Sequence, residues 1–213
     1  MDLIRDLLNP EKLLAMFGPY AYVGLCAVIF AETGLLVGFF LPGDSLLITA
    51  GIFAHAGDKG LSLWALNLLL IPMAIIGDAV GYWIGKRSGP ALFQREDSRL
   101  FKKKHLIATQ EFYDRHGGKT IVIARFMPFA RTFAPVVAGI AGMPYHRFAM
   151  FNIAGGIGWV LSMTTIGYFL ADLFPSLTKR IELIIIVVVF LSILPGLIAW
   201  ARAWLAARRA PAT

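Results

Sequence analysis

Four ionisable residues stand inside apolar segments instead of in the polar stretches between them: Glu32, Asp44, Arg125 and Arg131. On insertion scales each costs about 2.5–3.5 kcal/mol at the centre of a bilayer, so four left unpaired oppose insertion by roughly 10 kcal/mol. A chain that keeps them must pair them, wet them or use them. Their signs are segregated, with both acids in the first half and both arginines in the second. That pattern points to a functional site within a membrane.

Composition places these segments in a membrane. Of 213 residues, 58% are hydrophobic, and the mean hydropathy is +0.70. Long apolar runs separated by short polar stretches make an integral membrane protein with a single membrane domain, residues 1–213. The formal net charge is +7. The basic residues flank apolar runs, which fits loops facing anionic inner-leaflet lipid and not a nucleic-acid surface. A single cysteine, Cys26, excludes an internal disulfide and any zinc or thiol-redox spacing. The first apolar run leads into Glu32 and not into a small-residue cleavage site, so it does not read as a signal peptide.

Residues 13–31 are long enough to span. Residues 34–56 are apolar but interrupted by Pro42-Gly43-Asp44. Proline removes a helical hydrogen bond, and broken backbone at membrane depth survives only where protein or a wet cavity surrounds it. A re-entrant helical hairpin with its tip near Pro42-Gly43 is therefore expected. Residues 61–85 form a second span, on which Gly77, Gly81 and Gly85 share one face and invite close helix packing. Residues 86–119 are the one long polar stretch, with nine basic against four acidic residues. Phe101, Ala108 and Phe112 on one helical face suit a membrane surface. Residues 120–143 are apolar again, carry Pro128 and Pro135, and hold both arginines. This is the second expected hairpin. Residues 148–174 and 181–204 complete about four spanning helices plus two hairpins, an all-α membrane fold.

The positive-inside rule puts the basic stretch and both termini in the cytoplasm. Lys179 and Arg180 fall outside in this scheme and fit it poorly. The two hairpins then enter from opposite sides, and residues 42–51 weakly resemble 129–139. Inverted repeats with broken helices at the midplane are the architecture of secondary transporters.

An ordered set of motifs now stands along the chain: Phe30-Ala31-Glu32; Phe39-Phe40-Leu41-Pro42-Gly43-Asp44; Gly77-Asp78 with Gly81-Tyr82; Arg125-Phe126-Met127-Pro128 with Arg131-Thr132 and Ala138-Gly139; and Asn152 with Gly155 and Trp159. Over residues 20–174 this set resembles the DedA family, also called SNARE-associated or VTT-domain proteins. The resemblance implies a transporter of membrane lipid. In bacteria it implies translocation of undecaprenyl (polyprenyl) phosphate across the inner membrane for carrier-lipid recycling, with proton or sodium coupling. It also implies that the family's functional acids and arginines are Glu32, Asp44, Arg125 and Arg131.

The residue chemistry agrees. Arginine stays charged when buried and grips phosphate through two parallel hydrogen bonds. Arg125 and Arg131 flank Pro128, so a hairpin could aim both at one headgroup. Glu32 and Asp44 can each take a proton, since burial favours the neutral form of a carboxyl group. They could neutralise the arginines without substrate and take up protons or cations as phosphate arrives. Broken-helix N-termini add partial positive charge for an anion. Structural ion pairing that simply holds the hairpins together is the competing reading of the four charges. Asp78 and Asn152 are accessory candidates. Asp78 reads as lying near the cytoplasmic end of its helix, where it could equally cap or snorkel. Asn152 could equally be an interhelical hydrogen bond. Trp159, Tyr82 and Tyr168 read as packing or interface residues.

No metal or cofactor is expected. A membrane phosphatase would need a histidine or other nucleophile beside the arginines, and the histidines lie in loops or at segment ends, so the chain is not expected to be an enzyme. A passive phospholipid scramblase, or an ion exchanger with indirect lipid effects, remain as alternatives. The expected partners are the lipid phosphate itself and anionic inner-leaflet lipids along residues 86–119. Oligomeric state stays open, a homo-oligomer included.

Overall fold

The computed structural model describes residues 9–35, 41–57, 60–94 and 118–173. Every regular element among them is helical. The first, α1 (Pro10–Phe17), starts as its sequence dictates. Asn9 Oδ1 accepts from the backbone N–H groups of Glu11 and Lys12 at 3.0 and 3.2 Å, and Pro10 opens the first turn. A single 3₁₀ turn at Gly18–Tyr20 joins it to α2 (Ala21–Gly34). Gly18 takes φ +51°, and Pro19 brings no N–H, so the helix is interrupted there by a single tight turn. The two pieces form one apolar stretch, Pro10–Gly34, extending the expected span by three residues at each end and drawing Glu32 inside it.

The chain leaves α2 through an extended Leu35, and α3 (Gly43–Ala56) begins at the expected Pro42-Gly43 break. It closes on Gly57 at φ +66°. The descending limb of the expected hairpin falls largely on residues outside those described. The fourth element, α4 (Leu63–Gln94), is a 32-residue helix. The expected boundary at residue 85 marks where hydropathy drops, but the helix runs on through Lys86 and Arg87, because helical hydrogen bonds are indifferent to the edge of the hydrocarbon layer. The rest of the basic stretch, the last expected span (181–204) and the C-terminus lie outside the described residues.

The second expected hairpin is a helix–break–helix. α5 (Lys119–Arg125) ends at Phe126, Met127 is extended, and α6 (Pro128–Ile140) starts on a proline. Proline restricts the residue before it to extended backbone, which is the physical origin of the break. The final described helix is α7 (Tyr145–Leu173), 29 residues long.

Among the described residues, three helical stretches are long and apolar enough to cross a membrane: Pro10–Gly34, Leu63–Gly89 and Tyr145–Leu173. α3, with 14 residues, reaches about 21 Å at 1.5 Å per residue. That is short of the ~30 Å hydrocarbon layer, and α6 is shorter still.

The short helices are packed by exchange. α3, from the first half, lies on α7 of the second, and α6, from the second half, lies on α4 of the first. Both contacts use the same device. Gly51 of α3 meets the backbone of Thr164, while Gly167 of α7 meets the backbone of Ile48. Gly139 of α6 meets the backbone of Tyr82, while Gly85 of α4 meets the backbone of Val136. A Cβ at any of the four would overlap a carbonyl of the facing helix. The glycine face read from residues 77, 81 and 85 is thus a packing face, with Gly77 against Gly34 of α2 and Gly85 against α6. Leu25, Ile29, Leu46, Leu47, Leu66 and Leu70 fill the space among α2, α3 and α4, and Trp159 closes that core from α7.

Candidate functional site

The site forms where helices break. Asp44 is the second residue of α3, Arg131 lies one turn into α6, and Glu32 is in the last turn of α2. Arg131 donates through Nη1 to Asp44 Oδ1 and through Nη2 to Glu32 Oε1, so one guanidinium bridges two carboxylates across 87 and 99 residues of chain. All three side chains are buried. Gly43 lets this happen, since a Cβ there would collide with the Glu32 carboxylate. Arg131 Nε and the neighbouring Thr132 Oγ1 are buried with no hydrogen-bond partner among the described residues.

Arg125 is not part of that cluster. The sequence suggested four charges converging on one cavity, but the structure brings three together and gives the fourth its own surroundings. Arg125, the last residue of α5, sends Nη2 toward Asp78 Oδ2 at 3.1 Å and to the Ala74 carbonyl at 2.8 Å, both on α4. Its Nη1 donates to the backbone carbonyl and side-chain Oδ1 of Asn152 on α7, both at 2.9 Å. Asn152 Nδ2 in turn donates to the Ile75 carbonyl at 2.9 Å. Asp78 is 3% exposed, so it neither snorkels nor caps. It sits near the middle of α4 because that helix is longer than its apolar stretch suggests. Asn152 is an interhelical hydrogen bond and a ligand of Arg125 at once.

Trp159 joins the two clusters. Its ring centroid lies 5.0 Å from the Arg131 guanidinium and 5.7 Å from that of Arg125. Its indole N–H donates to Asp44 Oδ1 at 2.8 Å. The packing role expected of it is incomplete. The available signal was its depth: tryptophans of membrane helices collect at the two interfaces, and Trp159 is central in α7. Tyr82 is buried, stacks on Phe148 and donates to the Met143 carbonyl, which ties α4 to the turn before α7. Tyr168 touches His55, whose Nε2 is 3.9 Å from Asp172 Oδ1 at the far end of α7. Among the described residues no three of His, Cys, Asp and Glu gather as a metal centre.

In charge terms the described core holds three carboxylates (Glu32, Asp44, Asp78) and two guanidinium groups, leaving one acid in excess. An uncompensated charge in a low-dielectric interior is costly. The excess is relieved when one carboxyl binds a proton or a cation enters beside it. Arg131, with donors unused and two acids that can each be neutralised, is chemically suited to trade its partners for an anionic group.

Comparison with known proteins fits this geometry. The VTT domain family matches residues 41–169, which include Asp44, Asp78, Arg125, Arg131, Asn152 and Trp159. Protein DedA of Escherichia coli (strain K12) is 44% identical over 199 residues, covering 93% of this chain and 90% of that protein. An uncharacterized membrane protein of Mycobacterium tuberculosis (strain ATCC 25618 / H37Rv) is 41% identical over 209 residues, covering 97% and 91%. The inner membrane protein YqjA of Escherichia coli (strain K12) is 38% identical over 171 residues, covering 78% and 72%. No solved structure matches the chain. Family match, helical membrane architecture and near full-length similarity agree: the chain is a membrane protein of the DedA family, built on a VTT domain.

Proposed function

We propose that this protein translocates a lipid phosphate, undecaprenyl phosphate in a bacterium, across the inner membrane, and that protons or sodium ions drive it. The observation that carries the reading is the buried bridge from Arg131 to Glu32 and Asp44 at the break of two short helices. A phosphate monoester crossing a membrane needs a cation that cannot lose its charge, which is the property of arginine. The arginine must also be held neutral between cycles, which is the property of the two acids. When phosphate displaces them, the released carboxylates take up protons or a cation, and lipid movement becomes linked to a gradient. In this reading α3 and α6 are the inner limbs of two re-entrant hairpins of opposite orientation, both termini face the cytoplasm, and residues 86–119 rest on anionic inner-leaflet lipid. The hydrogen-bond partners of both guanidinium groups among the described residues are carboxylates, an amide and backbone carbonyls. That set favours carrying over covalent chemistry, so we propose a transporter and not an enzyme.

Purified protein in liposomes containing undecaprenyl phosphate, with and without an imposed pH or sodium gradient, tests the proposal. Gradient-driven movement of the lipid phosphate is expected, and Arg131→Gln should reduce it at least about hundredfold, as for loss of a charge-assisted anchor. Normal movement in Arg131→Gln overturns the proposal. A second reading rests on the excess carboxylate: an ion exchanger whose lipid effects are indirect. It predicts undiminished ion flux in liposomes lacking any lipid phosphate. Movement indifferent to headgroup and gradient would instead indicate a passive scramblase.

A further inference from the structure

Arginine offers five N–H groups. At Arg125 three of them donate hydrogen bonds, to the Ala74 carbonyl and to both oxygens of Asn152, and Nη2 also lies 3.1 Å from Asp78 Oδ2, while Nε has no hydrogen-bond partner among the described residues. At Arg131 two are committed, both to carboxylates. The two residues therefore differ in what a substrate would have to displace. A phosphate reaching Arg125 would strip donors from two backbone carbonyls and an amide at the junction of α4, α5 and α7, and would leave Asp78 buried without its cation. No protonation step can compensate a carbonyl. The junction is also closed sterically, because Gly156 and Gly155 of α7 lie directly beneath the Arg125 side chain and a Cβ at Gly156 would come within 3.0 Å of Nη1.

The position of Arg125 gives this arrangement a purpose. It is the last residue before the Phe126–Met127 break, and Arg131 follows one turn into α6. Whatever fixes Arg125 fixes where α6 begins and where Arg131 points. We infer that Arg125, Asp78 and Asn152 form a brace that positions the break between α5 and α6, and that Arg125 does not touch the lipid phosphate. The inference rests on the lipid-phosphate reading above for what is transported, and it assigns Asp78 and Asn152 positioning roles through Arg125.

The test neutralises the pair while keeping hydrogen-bonding shape. Arg125→Gln alone should lower the melting temperature and abolish movement of undecaprenyl phosphate in liposomes. Arg125→Gln combined with Asp78→Asn should recover melting temperature and transport, with KM unchanged and rate within about threefold of wild type, as for a coupled structural pair. A folded double variant that moves less than about a tenth of the wild-type lipid overturns the inference, since removal of a binding group is not rescued by removing its counter-ion. Asp78→Asn alone gives a reading even if the double variant fails to fold. If Arg125 bound phosphate, freeing it from its competing acid would tighten KM about tenfold, and that result overturns the inference; a brace predicts KM within about twofold. A wild-type protein that moves no lipid phosphate sinks the parent reading only, because recovery of melting temperature in the double variant still reports the brace.

Discussion

The two buried arginines lie beneath one tryptophan, yet their surroundings are opposite in kind. Arg131 faces two carboxylates from separate helices. Arg125 is bound to acceptors that are mostly backbone and amide. Charge and burial are alike, so neither quantity separates the roles. Replaceability of the partners does. A carboxylate can be neutralised by a proton and step aside, whereas a peptide carbonyl cannot.

The most disruptive way to break this comparison is to delete each arginine in turn. Removing one partner of a buried pair costs about 3–5 kcal/mol. Arg125→Ala should pay that cost in full, since it releases three helices. Arg131→Ala should lose less stability, because Glu32 and Asp44 can each accept a proton, while losing transport completely. Melting curves of detergent-solubilised variants measure this, and equal losses would erase the distinction. Next in size is Trp159→Phe, which keeps a ring under both guanidinium groups but removes the hydrogen bond to Asp44. A hydrogen bond to a charged group contributes about 1.5–3 kcal/mol, and the loss should fall on transport rate more than on melting temperature. Gly85→Val and Gly167→Val probe the exchanged helix contacts. Each should destabilise by about 1–3 kcal/mol through overpacking, and by similar amounts if the two contacts are equivalent. The smallest effect belongs to Trp64→Ala, at an 87% exposed position. A change within about 0.5 kcal/mol is expected there, and a larger one would show that this face is covered by something other than lipid.

Much of this was legible in the sequence because the signals are local. Pro42-Gly43 and Pro128 break helices through the geometry of one residue, and the 77–81–85 glycine face follows from helical periodicity. Charges inside apolar runs announce a site by their cost alone. The pairing was not legible. Which acid meets which arginine depends on how residues 47 to 99 positions apart in sequence dock, as Arg125 with Asp78 and Arg131 with Glu32 illustrate. Grouping Arg125 with Arg131 followed from their closeness in sequence, yet the break between them turns the two side chains to different neighbours. Asp78 was placed near a helix end because hydropathy falls at residue 85, whereas α4 continues to Gln94 and makes it central. Trp159 gave only a weak sign, its depth.

The exchanged packing of the short helices has a consequence for how such a chain can be divided. Each half supplies the surface on which the other half's short helix rests, so neither half contains its own complete interior. Cut between residues 94 and 118, the two fragments should be unstable when made singly and should reassemble when made together. By the same logic, a half-length chain with one short and one long helix would satisfy these contacts by pairing with a second copy of itself. The glycine contacts at Gly51 and Gly167, and at Gly139 and Gly85, are then the two copies of what such a homodimer would need only once.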